Sequence, residues 1–134
     1  MGKLRLSVLL LAVLVFGCAI SEKIRMDKFS EASKAYGEAV VWGHYEVANL
    51  YLKDSGSDPI NSDHENLKNF KVASYDVKQV KLSDDHSQVT QIVEIKYFKL
   101  DKMIVKSLRD KQLWEYDLKN LRWLLVTGLP EFRE

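Results

Sequence analysis

The sequence predicts an α+β domain, with a long N-terminal helix packed on a curved antiparallel sheet of about four long strands. Two observations of period carry this expectation. Apolar residues recur at steps of three and four from Phe29 to Tyr51, and beyond Phe70 the period changes to two. A third is the brevity of the polar breaks between the later segments, each short enough for an antiparallel hairpin. The 134 residues suit one domain. With 46% apolar and 29% charged residues and only two prolines, wholesale disorder and low complexity are excluded.

The chain opens with Lys3 and Arg5, followed by an apolar run from Leu6 to Gly17. Such a run rises roughly 18 Å as helix, short of a ~30 Å hydrocarbon core, so a signal peptide over 1–17 fits better than a spanning helix. The run ends Val15-Phe16-Gly17-Cys18, which resembles the lipobox of bacterial lipoproteins. The resemblance implies a diacylglyceryl group on Cys18, cleavage after Gly17, and a lipidated N-terminus and tether over 18–26. It also implies an exported protein anchored to a membrane through that lipid. Ala19, standing where an aspartate would retain the protein, implies the outer membrane if the source has two. Phe16 departs from the small or hydroxylated residue usual at its position. An ordinary signal peptide or an uncleaved short anchor are the other readings of this segment. As the single cysteine, Cys18 excludes an intramolecular disulfide and a Cys-rich zinc site. The formal charge of +1 excludes a strongly basic nucleic-acid binder, and without Lys3 and Arg5 it becomes −1.

A single domain is expected over 27–134. Asp27 offers an N-cap and Glu31 a favourable first-turn charge. The stripe Phe29, Ala32, Tyr36, Ala39, Val40, Gly43, Val47, Leu50 and Tyr51 then predicts one amphipathic helix of about 25 residues. Gly43 costs roughly 1 kcal/mol against alanine and reads as a bend or a close crossing. Turn residues from Asp54 to Pro59 end the helix, and Ser62 with Glu65 forms a capping box for a second, short one. Strands are predicted over Phe70–Leu82, Gln88–Lys99, Met103–Leu118 and Leu121–Thr127, with a bulge around Arg109–Lys111 where alternation breaks.

The closing segments Trp114-Glu115-Tyr116, Arg122-Trp123-Leu124-Leu125 and Gly128-Leu129-Pro130-Glu131-Phe132, with the Tyr36–Leu52 helix, resemble the nuclear transport factor two-like superfamily, a cone-shaped α+β fold. The resemblance covers about residues 27–132 and rests on element order and aromatic placement. A cystatin-like or lipocalin-like partial barrel satisfies the same order. A cone implies a pocket, for which Tyr36, His44, Tyr97, Trp114 and Trp123 are the ligand-binding candidates. The superfamily includes ketosteroid isomerase, in which an aspartate moves a proton and a tyrosine with a neutral acid stabilises the oxyanion. The groups here for such work are Tyr36, Tyr51, Tyr75, Tyr97, Tyr116, Asp76 and Glu94. Rings packed in the core with hydroxyls reaching a polar partner or solvent account better for the tyrosines, and the two acids sit beside lysines as cross-strand pairs do. No catalytic residue is assigned.

No histidines stand at i,i+4, and Gly-rich and GxSxG motifs are absent, so no metal or cofactor is expected. His64 and His86 fall in polar segments. Ile92 and Phe98 share the face opposite Val89, Val93, Ile95 and Tyr97, marking them as interface residues for a homodimer or an envelope protein partner. Lysines such as Lys71, Lys81, Lys96 and Lys111 decorate the strands, protecting sheet edges or meeting an acidic partner. The leading expectation is a membrane-anchored, non-enzymatic domain that binds a small apolar ligand or another protein. A pocket enzyme of isomerase or cyclase type, and an assembly accessory acting through the outer sheet face, are the alternatives. Nucleic acid is not an expected partner.

Overall fold

Period-two alternation and hairpin-length breaks resolve into strands β1 (Phe70–Leu82), β2 (Gln88–Lys99), β3 (Lys106–Asp117) and β4 (Arg122–Leu125). They pair antiparallel in sequence order as one sheet, preceded by helices α1 (Gly2–Val41), α2 (Tyr45–Asn49) and α3 (Ser62–Leu67). This is the predicted α+β architecture. The computed structural model describes the backbone of residues 2–54 and 62–134, and the side chains of 21–54 and 65–134. The side chains of Cys18, Ser62 and His64, and the turn at 55–59, lie outside the described residues.

The first helix differs from expectation at both ends. Its backbone is helical through 18–26, the expected tether, and so passes the N-cap expected at Asp27. That stretch holds no glycine or proline, and extending an existing helix is favourable once a nucleus is present. Its last turn also packs, because Met26 lies against the core. At the other end α1 stops at Val41, not Leu52. Gly43 adopts φ 70°, a left-handed conformation in which glycine carries no Cβ penalty. There the His44 N–H reaches back to the Ala39 carbonyl at 2.8 Å and the Gly43 N–H to Val40 at 3.2 Å. These two bonds form a Schellman cap. The chain then makes the short α2 and runs extended beside β4, where Leu125 donates to Tyr51 at 2.7 Å and Lys53 to Leu125 at 2.9 Å.

The sheet's curvature comes from β1. Register shifts fall between Val72 and Ser74 and between Val77 and Gln79, so Ala73 and Lys78 are the extra residues. The predicted bulge at Arg109–Lys111 is not there, since β2 and β3 pair without a shift from Gln88↔Glu115 to Tyr97↔Lys106. Each bulge moves the phase of β1 by one residue. Together they turn Val72, then Tyr75 and Val77, then Val80 and Leu82 toward the same face as Val89, Val93, Ile95 and Tyr97.

That inner face carries α1. Phe29 meets Trp114 edge-on at 5.9 Å and Trp123 at 5.4 Å, while Tyr36 meets Trp114 at 5.5 Å and 86°. The Trp123 indole donates to the Arg25 carbonyl at 2.8 Å, pinning the helix to β4. At the opposite end Phe132 stacks on Tyr97 at 4.6 Å, and the Tyr97 hydroxyl donates to the Arg133 carbonyl at 2.9 Å. Replacing Gly43 with alanine forces a side chain into the left-handed region and should cost about 1–2 kcal/mol. A urea titration of Gly43→Ala is expected to show that loss as a lower midpoint at unchanged slope. An unchanged midpoint would contradict the cap.

Candidate functional site

An apolar inner face should not carry polar side chains unless they are fully partnered, because burying one unpaired costs about 1–3 kcal/mol. Strand β3 puts two such side chains there, with Asp110 and Gln112 preceding Trp114 on the inward positions. Gln112 is completely buried and every valence of its amide is used. Its Oε1 accepts from the Trp114 indole at 3.1 Å and from Gln91 Nε2 at 3.1 Å. Its Nε2 donates to the Tyr75 hydroxyl at 2.9 Å and to Asp110 Oδ2 at 2.9 Å.

Tyr36 faces this network from α1. Its hydroxyl is buried and has no hydrogen-bond partner among the described residues. Burial pushes its ionisation well above the ordinary tyrosine value, and the neighbouring Asp110 carboxylate pushes it further. Tyr75 and Tyr45 are each held up to about 12, chiefly by burial. Burial likewise raises Asp110 from its ordinary value, opposed by the Gln112 hydrogen bond. The cluster therefore sets neutral hydroxyls around a carboxyl whose ionisation burial disfavours.

Tyr75 connects this cluster to the surface. Its half-buried ring forms one wall of a groove between α1 and β1, with a volume of about 340 Å³. Ser33, Gly37, Val41, Trp42 and Val77 line the rest. Gly37 lets the helix approach so closely that a Cβ there would sit 2.9 Å from Tyr75 Cε1. Trp42 is 74% exposed and Val77 50%, so the groove presents apolar surface to solvent. Lys34 and Glu38 stand among its lining residues as the charged members.

The expected pocket residues occupy other roles. Tyr36, Trp114 and Trp123 are sealed in the aromatic core, filling the space between helix and sheet. Tyr97 is buried with its hydroxyl committed to Arg133. His44 is exposed beyond the Gly43 break and does not enter the inner face, because the helix that would have carried it inward has ended. Asp76 and Glu94 lie directly opposite each other on the outer face, away from the aromatic interior. Ile92 and Phe98 are half-buried on that outer face. Among the described residues no cluster of His, Cys, Asp and Glu is placed to hold a metal. Asp110, Gln112 and Gln91 were missed, although uninterrupted alternation in β3 would have set the first two on the same face as Trp114. The bulge expected at Arg109–Lys111 hid that phase.

Asp110 gives the cluster a pH signature. A carboxyl held above its ordinary 3.8 in the folded state favours folding below that value and loses this contribution as pH rises through the raised one. The stability of the native chain relative to Asp110→Asn should therefore fall across that interval and level off above it. A difference independent of pH would show that Asp110 titrates normally.

No family model and no curated protein matches the sequence. Among solved structures, a protein from Exiguobacterium sibiricum described as a Ca/calmodulin-dependent kinase II association domain is similar in fold. The TM-score is 0.51 at 12% identity, over 78% of this chain and 93% of that one. Identity this low speaks for the fold alone, an α+β arrangement of an N-terminal helix and a four-stranded antiparallel sheet.

Proposed function

We propose that this chain is an exported lipoprotein, anchored through Cys18, whose domain binds a small, largely apolar ligand in the groove between α1 and β1. The observation that carries the binding reading is the meeting of exposed apolar surface with a fixed polar wall. Trp42, Val41 and Val77 offer area for the body of a ligand, and the Tyr75 hydroxyl, held by Gln112, stands behind them. The pocket expected among the core aromatics is thereby moved outward, to the flank of the helix. In a source with two membranes the outer one is the destination that Ala19 implies.

An enzyme of acid–base type is the second reading, favoured by the meeting of Asp110, Tyr36 and Tyr75 on one face. The two separate on Asp110→Asn: a binding domain retains its ligand, and an enzyme loses turnover.

Two experiments test the proposal. Metabolic labelling with a fatty acid should mark the wild-type chain and leave Cys18→Ser unlabelled and released from washed membranes; unchanged retention and labelling would remove the anchor. Native mass spectrometry of the chain extracted from its membrane should find a small molecule bound. Val77→Asp should lose that molecule, because it puts a charge against the ligand body while its own site is half-exposed and tolerant. An unliganded wild type, or an undiminished adduct in Val77→Asp, would exclude the groove.

A further inference from the structure

The outer face of the sheet carries a second feature that the groove does not use. Gln79, Lys81, Thr90, Ile92, Arg109 and Lys111 surround an open basin of about 570 Å³. The register explains the gathering: Ile92 pairs with Gln79 on one side and Lys111 on the other, Thr90 with Lys81, and Glu94 with Arg109. Lys81, Arg109 and Lys111 form no ion pair among the described residues, whereas Lys53, Lys68, Lys99, Lys102 and Arg133 all do. With Lys71 and Lys96 they make five cations against four acids that alternate onto this face, Asp76, Glu94, Glu115 and Asp117, of which Glu115 is already paired with Lys53. Unpaired cations gathered around one half-buried isoleucine attract an anionic surface.

We propose that this basin docks the outer sheet face onto an anionic phospholipid bilayer. Three features choose that occupant. A second copy of the same face would set cation against cation, which disfavours a symmetric pairing. Half-buried Ile92 and Phe98 give the face shallow apolar contact of the kind a headgroup layer accepts. The basin also lies toward the end of the sheet that receives α1, where Glu22 reaches His86 of the β1–β2 hairpin at 3.5 Å. Asp84 and Asp85 occupy the tip of that hairpin, so contact is made by the face and not by the end. The nearness of a membrane rests on the lipid-anchor reading; the charge argument does not.

The test measures full-length chain on vesicles of zwitterionic lipid and of the same lipid with phosphatidylglycerol. Lys3, Arg5 and the rest of the N-terminal segment are common to the wild type and the variants, so the difference between them in the increment from one vesicle to the other reports on the sheet face. At about fivefold per cation, three cations give an increment on the order of a hundredfold at low salt, shrinking steeply at high salt. The triple variant Lys81→Gln, Arg109→Gln, Lys111→Gln should lose the increment and keep its binding to zwitterionic vesicles. Lys81→Arg with Lys111→Arg should retain it, and so should Cys18→Ser, even where that variant is released from cell membranes. An increment that survives the triple glutamine variant overturns the proposal. So does preferential binding of soluble polyphosphate or duplex DNA with no vesicle increment, or a dimer in sedimentation that the triple variant dissolves.

Discussion

The burial of Trp114 is the contact on which the rest of the domain depends. Its ring is closed off from solvent and receives the edges of Phe29 and Tyr36 from the helix above. Such pairs contribute about 0.5–1.5 kcal/mol each beyond the area they bury. The indole N–H, however, enters the core with them and needs an acceptor. Gln112 supplies it, two residues back on the same strand and therefore on the same face. A glutamine drawn into an apolar face has further valences to fill. Gln91, Tyr75 and Asp110 fill them, and so one tryptophan accounts for a polar network of four residues around it.

That network reaches the surface only because β1 is bent. Without its two bulges, strict alternation would have turned Tyr75 and Val77 outward and left the flank of α1 facing Ser74, Asp76 and Lys78. With them, every large apolar side chain of β1 faces inward, but the strand is longer than the helix can cover. Val77 and Val80 remain half-exposed, and the groove is the uncovered margin. Gly37 narrows it from the helix side, where any side chain would displace the Tyr75 ring. Beyond Lys78 the two shifts cancel, so Gln79 and Lys81 keep the outer face that unbroken alternation would give them, and the bends only slide them along β2 to lie beside Ile92 and Thr90.

Local period made much of this legible. The bounds of β1 and β2 follow from alternation and from the polar Ser83–Ser87 hairpin, whose Asp85 carboxylate accepts from Ser83 and Ser87. Opposite faces for Ile92 and Val93 follow in the same way. The helix end was harder to read, because the apolar stripe continues across Gly43 into Leu50 and Tyr51. Period alone does not distinguish a bent helix from one that stops and re-forms; that depends on the sign of φ at the glycine. The bulges were invisible for a related reason: a shift in phase looks like a break in alternation, and β3, with its inward Asp110 and Gln112, displays a false one. Their reason for pointing inward is tertiary. Only the docked helix makes that face a core, and only the indole of Trp114 gives a buried amide its first partner.

The structure thus joins a closed aromatic interior to an open, half-apolar margin through one tyrosine. A crystal structure of the chain extracted from its own membrane tests that connection most directly. The account predicts density for a small molecule along Val41, Trp42 and Val77, with a polar atom within hydrogen-bond reach of the Tyr75 hydroxyl and the Gln112 network intact. An occupied interior with Trp114 displaced, or density elsewhere with the groove empty, would contradict it.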